Sequence, residues 1–583
     1  MDFFSENSVP LKITKHPLDE PISESGHNVY IVLLPLGQMD DLKSIYSSIL
    51  TNLSTQSVLI SVGHTEQLVE THIFLKNTLR YQTWIAIRTK NLSSQNETRK
   101  LANSHIGALI HSKYKYSLKH CETRLKYSIC PSCDKTTKDY GGKKHTFHEF
   151  GTLISDVWKE IELDYSNNTD IDRLLNYFAL LFGLPEYNEL VVLDYRSPEP
   201  IQFNQAILAS EWSEHVNEFN NPSILINGDC IEELQKIPDN SIDFIFVDPP
   251  YNVNKKYAGY NDDKEIEEYF AWCDNWLYEL ARILKPNRTL CVLNIPLWSI
   301  RHFEYLKSIL TFQNWIVWDG LSFPVRQIMP AHYSILCFAK GESRELPKYT
   351  SIGGLKEISN VSKSFKSLRP LKVGYCLRES CINKRNNSDQ NTRENDITDI
   401  WWDIHRLKHN SRRVDHPCQL PPTLMYRLIS VFTEEGEIVL DCFNGAGTTT
   451  LCAQQLNRRY IGIEASSDYH KIALKRHSEI KLGLDPFRKE PKKLLSKNSR
   501  VPRMAKNNTG YTKKEIQLDV KRVAQTLGHL PIKEEYSTVG KYPIEIINQL
   551  FQTWSDACVA VKTNGVSEDK TGSKNQQGTL NFE

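Results

Sequence analysis

No run of apolar residues in this chain of 583 is long enough to cross a bilayer as a helix. Its N-terminus, Met1-Asp2-Phe3-Phe4-Ser5-Glu6, has neither the basic nor the apolar region of a secretion signal. The expectation is a cytosolic protein with no membrane partner. An excess of charge of either sign is lacking too. Lys and Arg number 71 against 70 Asp and Glu, a net charge of +1. The chain is no polycation, so any surface for nucleic acid must come from local segregation of charge. The third glycine of a dinucleotide fingerprint is missing after Gly445-Ala446-Gly447, which argues against a nicotinamide cofactor. No nuclease motif is evident. Cysteine is not scarce, with thirteen spread along the chain. Without a secretion signal they read as reduced thiols, with metal binding where they cluster.

The length allows several domains, and 40% hydrophobic with 24% charged residues fits globular packing. The stretch that organises the rest is Val247-Asp248-Pro249-Pro250-Tyr251. The apolar run Ile242 to Val247 reads as a buried strand of a parallel sheet, and proline cannot continue a central strand. Asp248 therefore stands just past a strand's carboxyl end, where open α/β sheets place their ligands. Alone, the string also reads as a strand ended by a proline turn. Two further stretches change that balance. One is Asn227-Gly228-Asp229 and the other is Leu440-Asp441-Cys442-Phe443-Asn444-Gly445-Ala446-Gly447-Thr448-Thr449. The glycines of the second permit a tight strand-to-helix turn and close backbone approach by a ligand. Glu464 ends the next strand-like run, where an acidic side chain can bind both hydroxyls of a ribose.

At these residues, from about Ile224 to Leu482, the chain resembles the amino-methylating DNA methyltransferases, in the group whose Asp-Pro-Pro-Tyr precedes the glycine motif. The resemblance implies an α/β, Rossmann-like fold dependent on S-adenosylmethionine. It implies that Phe443, Gly445 and Gly447 of the Asp441 motif line the methionine moiety, and that Thr448 and Thr449 cap the helix start. Glu464 would hold the ribose, and Asp229 would accept from the cofactor's adenine amine; Asp229 also reads as a helix N-cap. The catalytic set would be Asp248, Pro249, Pro250 and Tyr251. An exocyclic amine is a poor nucleophile because its lone pair is delocalised into the ring. The Asp248 carboxylate and the Pro249 carbonyl would each accept one amine hydrogen and stabilise the developing charge. Tyr251 would stack on a base flipped out of the duplex. The prolines would keep the acceptors preorganised. Asp-Pro-Pro-Tyr is more often the adenine-N6 form in the family, with cytosine-N4 methylation the nearest alternative. An RNA methyltransferase and an inactive DNA-binding relative are the more distant ones. His416-Pro417-Cys418-Gln419-Leu420 looks like the family's His-Pro-x-Gln-Lys-Pro motif, with Leu420 in place of the lysine. The implied partners are double-stranded DNA and, in a restriction-modification pair, a cognate restriction endonuclease.

Residues 1–28 read as an extension. Residues 29–219 read as a worn copy of the catalytic half, 224–482. Tyr81-Gln82-Thr83-Trp84-Ile85 echoes Phe312-Gln313-Asn314-Trp315-Ile316. His105 to Lys113 echoes His332 to Lys340, and Asp156-Val157-Trp158 echoes Asp399-Ile400-Trp401. Matches in the same order point to duplication. The copy has Leu33-Leu34-Pro35-Leu36 in place of Asp248-Pro249-Pro250-Tyr251, so its expected role is scaffolding or holding DNA. Its loop Lys135 to His145 suits phosphate contacts or simply a solvated surface. Residues 342–411 stand where the family keeps its target-recognition region, and Arg406, Lys408, Arg412 and Arg413, in it and its immediate flank, suit DNA phosphates. Residues 486–510 read as a basic linker and 564–583 as a disordered tail. Between them, 511–561 resembles the repeat associated with homing endonucleases, a DNA-binding helical module; a module for protein contacts is the alternative. Finally, Cys130-x-x-Cys133 and the wider pair Cys376 and Cys381 occupy equivalent places in the two halves. Four thiolates around one structural zinc would join them, the alternative being two unrelated pairs.

Overall fold

A computed structural model describes residues 3–5, 9–18, 20, 26–35, 42–90, 98–113, 118–127, 129–136, 151–196, 216–217, 223–253, 256–257, 260–261, 263–320, 328–346, 380–381, 384, 397–404, 406, 419–487, 513–551 and 553–558. The apolar run Ile242 to Val247 is a strand, as expected. Every residue of Val29–Leu33, Val58–Gly63 and Ile242–Val247 is buried, as central strands covered on both faces must be.

Two mixed sheets fill the chain up to Arg488. Among the described residues the first runs Lys12–Lys15, Glu189–Asp194, Val29–Leu33, Val58–Gly63, His105–Ser112, Arg80–Thr89, Val157–Leu163. The second runs Ile224–Asn227, Arg459–Glu464, Ile438–Asp441, Ile242–Val247, Leu284–Asn294, His332–Ala339, Thr311–Asp319, Ile400–Trp401. Past the extra edge strand Ile224–Asn227, both sheets repeat one pattern. Three parallel pairings are followed by two antiparallel ones and a last parallel one. The irregularities match too, with a register shift between Tyr81 and Thr83 in one hairpin and between Phe312 and Asn314 in the other. The duplication is therefore one of topology. Residues 12–15 differ from the expected plain extension. They form an edge strand in register with Glu189 to Val192, in the place Arg459–Glu464 takes in the second sheet. Phe3–Ser5 also pairs, with Thr123–Leu125.

The two halves share one core. Trp84 and Trp315, equivalent residues, stack on each other with ring centroids 4.9 Å apart and planes 14° from parallel. Contact between equivalent residues marks a pseudo-twofold axis. Two aspartates cross that axis. Asp399 accepts from the Ser104 N–H at 2.9 Å and the Ser104 hydroxyl at 2.7 Å, and meets His105 Nδ1 at 2.9 Å. Its counterpart Asp156 accepts from the N–H groups of Ala331 at 2.7 Å and His332 at 2.9 Å. Each half's Asp-x-Trp segment thus satisfies the start of the other half's histidine-bearing strand. A single apolar cluster holds Leu68 and Trp84 together with Val247, Trp315 and Leu440. At the rim, Lys76 meets Glu304 at 3.0 Å, and Lys307 and Lys159 pair with Glu70 and Asp319.

Burial pushes the Asp156 carboxyl up to about 7, against the pull of its two backbone donors. The folded protein keeps this proton at pH values where the unfolded chain, near 3.8, has lost it. The group's contribution to stability therefore declines as pH rises from about 4 to about 7. Asp156→Asn retains an acceptor without the charge. It is expected to melt above the wild type at about pH 8, with the advantage gone by about pH 4. Melting curves that stay parallel across that range would discard this account.

The segment Lys489–Glu583 is a separate unit. Its helices Lys513–Leu527, Lys533–Val539, Ile544–Leu550 and Trp554–Ala557 enclose Ile516, Val520, Val523, Tyr536 and Ile547. Buried Asp519 ties them together by accepting from the Tyr536 hydroxyl and the Lys541 N–H, each at 2.7 Å. Gly540 is required because a Cβ there would lie 2.4 Å from the Tyr536 ring. Pro486 and Phe487, assigned from sequence to the linker, belong to the catalytic half. Phe487 is buried under the Arg476 guanidinium, 5.0 Å from its ring centroid. Among the described residues no helix is long and apolar enough to cross a membrane.

Candidate active site

Four parallel strands of the second sheet lie side by side with their carboxyl ends at one edge. Asn227 is in register with Glu464, Asp441 with Gly462, and Ile245 with Leu440. Neighbouring strands are about 4.8 Å apart, so Asp229, Glu464, the turn after Asp441, and Asp248 line one crevice. Between Ile438–Asp441 and Ile242–Val247 the direction of winding reverses, which opens the sheet for a ligand.

Asp248 sits on a turn pinned by the helices Ile266–Ile283 and Pro296–Leu306. The Tyr269 hydroxyl donates to the Pro250 carbonyl at 2.7 Å, and the Trp298 indole donates to the Tyr251 carbonyl at 2.8 Å. The Tyr251 hydroxyl donates to Asp248 at 2.8 Å. With Pro250 committed to Tyr269, the Pro249 carbonyl is the backbone acceptor next to Asp248. Asn252, in the left-handed region at φ 54, bonds the N–H and carbonyl of Lys264, each at 2.8 Å. These bonds close the base of the polar loop that follows the turn.

Across the crevice, Asp441 accepts from the Phe443 N–H at 2.9 Å. Glu464 accepts from the Gly445 N–H at 2.7 Å with one oxygen and from the Ser466 N–H at 2.8 Å with the other. Gly447, at φ +85, is itself the N-cap of the helix Thr448–Gln455, and a Cβ on it would come 3.0 Å from that of Ala473. This corrects the expected capping by Thr448 and Thr449, which are the first two helical residues. A left-handed cap needs glycine, so no side chain can cap there. The Thr449 hydroxyl instead meets Met425 Sδ at 3.3 Å and holds Asp441. Phe443 packs edge-on against Trp272 and Trp276 at 5.7 and 5.4 Å. Asp229 caps the helix Cys230–Leu234 through the N–H groups of Ile231 and Glu232. Burial raises the Asp441 carboxyl to about 7, and the charges of Asp248 and Glu464 add to the rise. Burial raises Glu464 as well. The repulsion that Asp441 feels from Asp248 and Glu464 is relieved by positive charge brought into the crevice.

The equivalent sheet edge of the first half carries different groups. The Tyr165 hydroxyl lies 2.9 and 3.0 Å from the carbonyl oxygens of Leu34 and Val62, at the end of the strand that matches Ile242–Val247. Arg196 grips Asp194 at 2.7 and 2.9 Å and donates to the Tyr165 carbonyl at 2.8 Å. The sequence signal for this arrangement is an arginine two residues past a strand's terminal aspartate, Asp194 and Arg196.

Other expected site residues are scattered or lie outside the described residues. Arg406, expected on DNA phosphates, stacks over the Tyr333 ring at 5.1 Å and donates to its hydroxyl at 2.7 Å. Lys408, Arg412, Arg413, the His416 to Cys418 part of the proline motif, Cys376, most of 342–411 and the loop beyond Thr136 lie outside the described residues. Cys130, Cys133 and Cys381 do come together, with their sulfurs within 4.8 Å of one another.

The sequence profile of the N6/N4 methyltransferases, described as DNA methylase, matches residues 242–475. The type II methyltransferase M.BamHI of Bacillus amyloliquefaciens is 32% identical over 378 residues, spanning 60% of this chain and 85% of that protein. The chain belongs to the N6/N4 DNA methylases. Two further relatives are the type II methyltransferase M.HpaI of Haemophilus parainfluenzae, 30% identical over 43% of this chain and 73% of that protein, and the DNA adenine methyltransferase YhdJ of Escherichia coli (strain K12), 29% identical over 44% and 83%. The profile match of this DNA methylase opens on the strand that leads into Asp248 and closes within the helix Ser467–Lys481. The first half lies outside it.

Proposed function

We propose that this DNA methylase transfers a methyl group from S-adenosylmethionine to the N6 amine of an adenine flipped out of double-stranded DNA, as the modifying member of a restriction-modification pair. The observation that carries the reading is Asp248 at the switch point of the sheet, held by Tyr251, beside the Pro249 carbonyl and facing the Asp441 and Glu464 carboxylates. The cofactor's residues fit a sulfonium. A sulfonium beside Asp441 would favour its ionised form, Glu464 stands at a strand end where an acidic side chain meets a ribose, Gly445 and Gly447 allow close backbone approach, and Phe443 offers an apolar wall. When bound, the cofactor supplies an electrophilic methyl group. Asp248 and the Pro249 carbonyl each accept an amine hydrogen, which localises the lone pair. The carboxylate then stabilises the positive charge that grows on nitrogen, and as the N–C bond forms at the expense of the methyl's bond to sulfur, the nitrogen's surplus proton leaves by way of Asp248. Tyr251 offers a ring for the flipped base to stack on.

The base assignment rests on Asp-Pro-Pro-Tyr and on kinship with a protein named a DNA adenine methyltransferase. The restriction-modification role rests on relatives named type II methyltransferases. The helical module Lys513 to Ala557 adds a second DNA contact, on its likeness to the homing-endonuclease repeat. Expression in a methylation-deficient bacterium, followed by sequencing that detects modified bases, is expected to reveal N6-methyladenine at one recurring site. N4-methylcytosine there would replace the base assignment and keep the Asp248 chemistry. Unmodified DNA from cells holding soluble protein would defeat the whole reading.

A further inference from the structure

We propose that Cys130, Cys133 and Cys381 bind a structural zinc ion that staples the first half of the chain to the region between the strands His332–Ala339 and Ile400–Trp401. The three sulfurs lie within 4.8 Å of one another. Cys130 and Cys381 are buried, and none of the three is in a disulfide. Tetrahedral zinc with sulfur ligands at about 2.3 Å spaces neighbouring sulfurs by about 3.8 Å, which this cluster accommodates. A disulfide could use two of the thiols and would strand the third. A metal uses all of them.

The local backbone is built for ligation. Ile129–Cys130 and Lys135–Thr136 form a small hairpin with Cys130 opposite Lys135. At its tip the N–H groups of Cys133 and Asp134 both donate to the Cys130 carbonyl, at 3.2 and 2.9 Å, with Asp134 at φ 50. This turn doubles the chain back so that two thiols three residues apart face one point. A hairpin with two-residue strands has no apolar core of its own, so it needs an external tie. Cys381 supplies that tie from the other half. It follows the strand His332–Ala339 just as the hairpin follows its counterpart His105–Ser112, so the thiols meet across the pseudo-twofold axis marked by Trp84 and Trp315. Each thiol releases its proton to solvent as it ligates, so binding weakens in acid. The metal's work is to fix the region where the family keeps its target-recognition residues.

The full-length protein, purified without a polyhistidine tag and dialysed against metal-free buffer, is expected to carry about one zinc per chain by mass spectrometry. Cys133→Ser and Cys381→Ser should each lose it. Because loss of the metal could itself unfold the variants, cobalt(II) added to metal-free wild type supplies a second measurement. It should give thiolate-to-cobalt charge-transfer absorption with the intensity of at least three sulfurs, while Cys121→Ser, outside the cluster, should match the wild type. Folded wild type that neither carries zinc nor takes up cobalt through sulfur would overturn the site. Full zinc retention by either ligand variant would do the same.

Discussion

Asp248→Ala is expected to lower methyl transfer to DNA by about a hundred- to a thousandfold or more, while cofactor affinity stays within a few-fold of the wild type. The asymmetry follows from geometry. The Asp248 carboxylate stands on the turn after Ile242–Val247, where it can accept from the amine. The groups assigned to the cofactor are Glu464, Asp441 and the turn at Gly445, on the neighbouring strands. Removing Asp248 leaves the amine with one acceptor and its lone pair delocalised, so the barrier rises without disturbing the ground-state complex. Tyr251→Phe is the informative comparison. It keeps the stacking ring and deletes the hydroxyl that meets Asp248 at 2.8 Å, so a smaller loss is expected. Transfer of labelled methyl groups and calorimetric titration of the cofactor separate the two effects. An Asp248→Ala enzyme with most of its activity would remove this carboxylate from the mechanism, and an equal loss of cofactor binding would move it to the other side of the crevice.

Asp399→Ala should destabilise the entire chain before Arg488, by about 3 kcal/mol, although Asp399 touches neither crevice. Its loss strands the Ser104 N–H and hydroxyl in the interior and removes the partner of His105 Nδ1. Each buried donor left unpaired costs about 1–3 kcal/mol, and the three are too close to add fully. Because one apolar cluster spans both halves, the damage should appear as a lower midpoint for a single transition. Chemical denaturation followed by tryptophan fluorescence and circular dichroism checks this. Two separated transitions, with the catalytic half unmoved, would show that the halves fold independently.

These two expectations mark what could be read from the chain alone and what could not. Asp248, Asp441 and Glu464 were legible because each follows a short apolar run. Proline or glycine ends the first two runs at the sheet edge, so local backbone chemistry is enough to place all three. The duplication was legible because short segments such as Tyr81 to Ile85 and Phe312 to Ile316 echo each other in the same order in both halves. The family's chemistry followed from those motifs. The thiol cluster was legible only as an equivalence of positions, and its closure needed coordinates.

The tertiary structure decided the rest, because those contacts join residues far apart in sequence or replace a local preference. No pattern within either half says that Asp399 serves the strand starting at His105, or that Trp84 stacks on its own counterpart. Lys12–Lys15 looked like a polar extension because an edge strand needs little apolar character, and only pairing with Glu189–Asp194 identifies it. Thr448 and Thr449 have the composition of helix caps, yet a left-handed Gly447 already holds that position. Arg406 carries the charge that DNA attracts, and only the fold shows that it rests on Tyr333. Periodicity and motif spacing report what a residue can do along its own segment; which partner it meets depends on the fold that brings distant segments into contact.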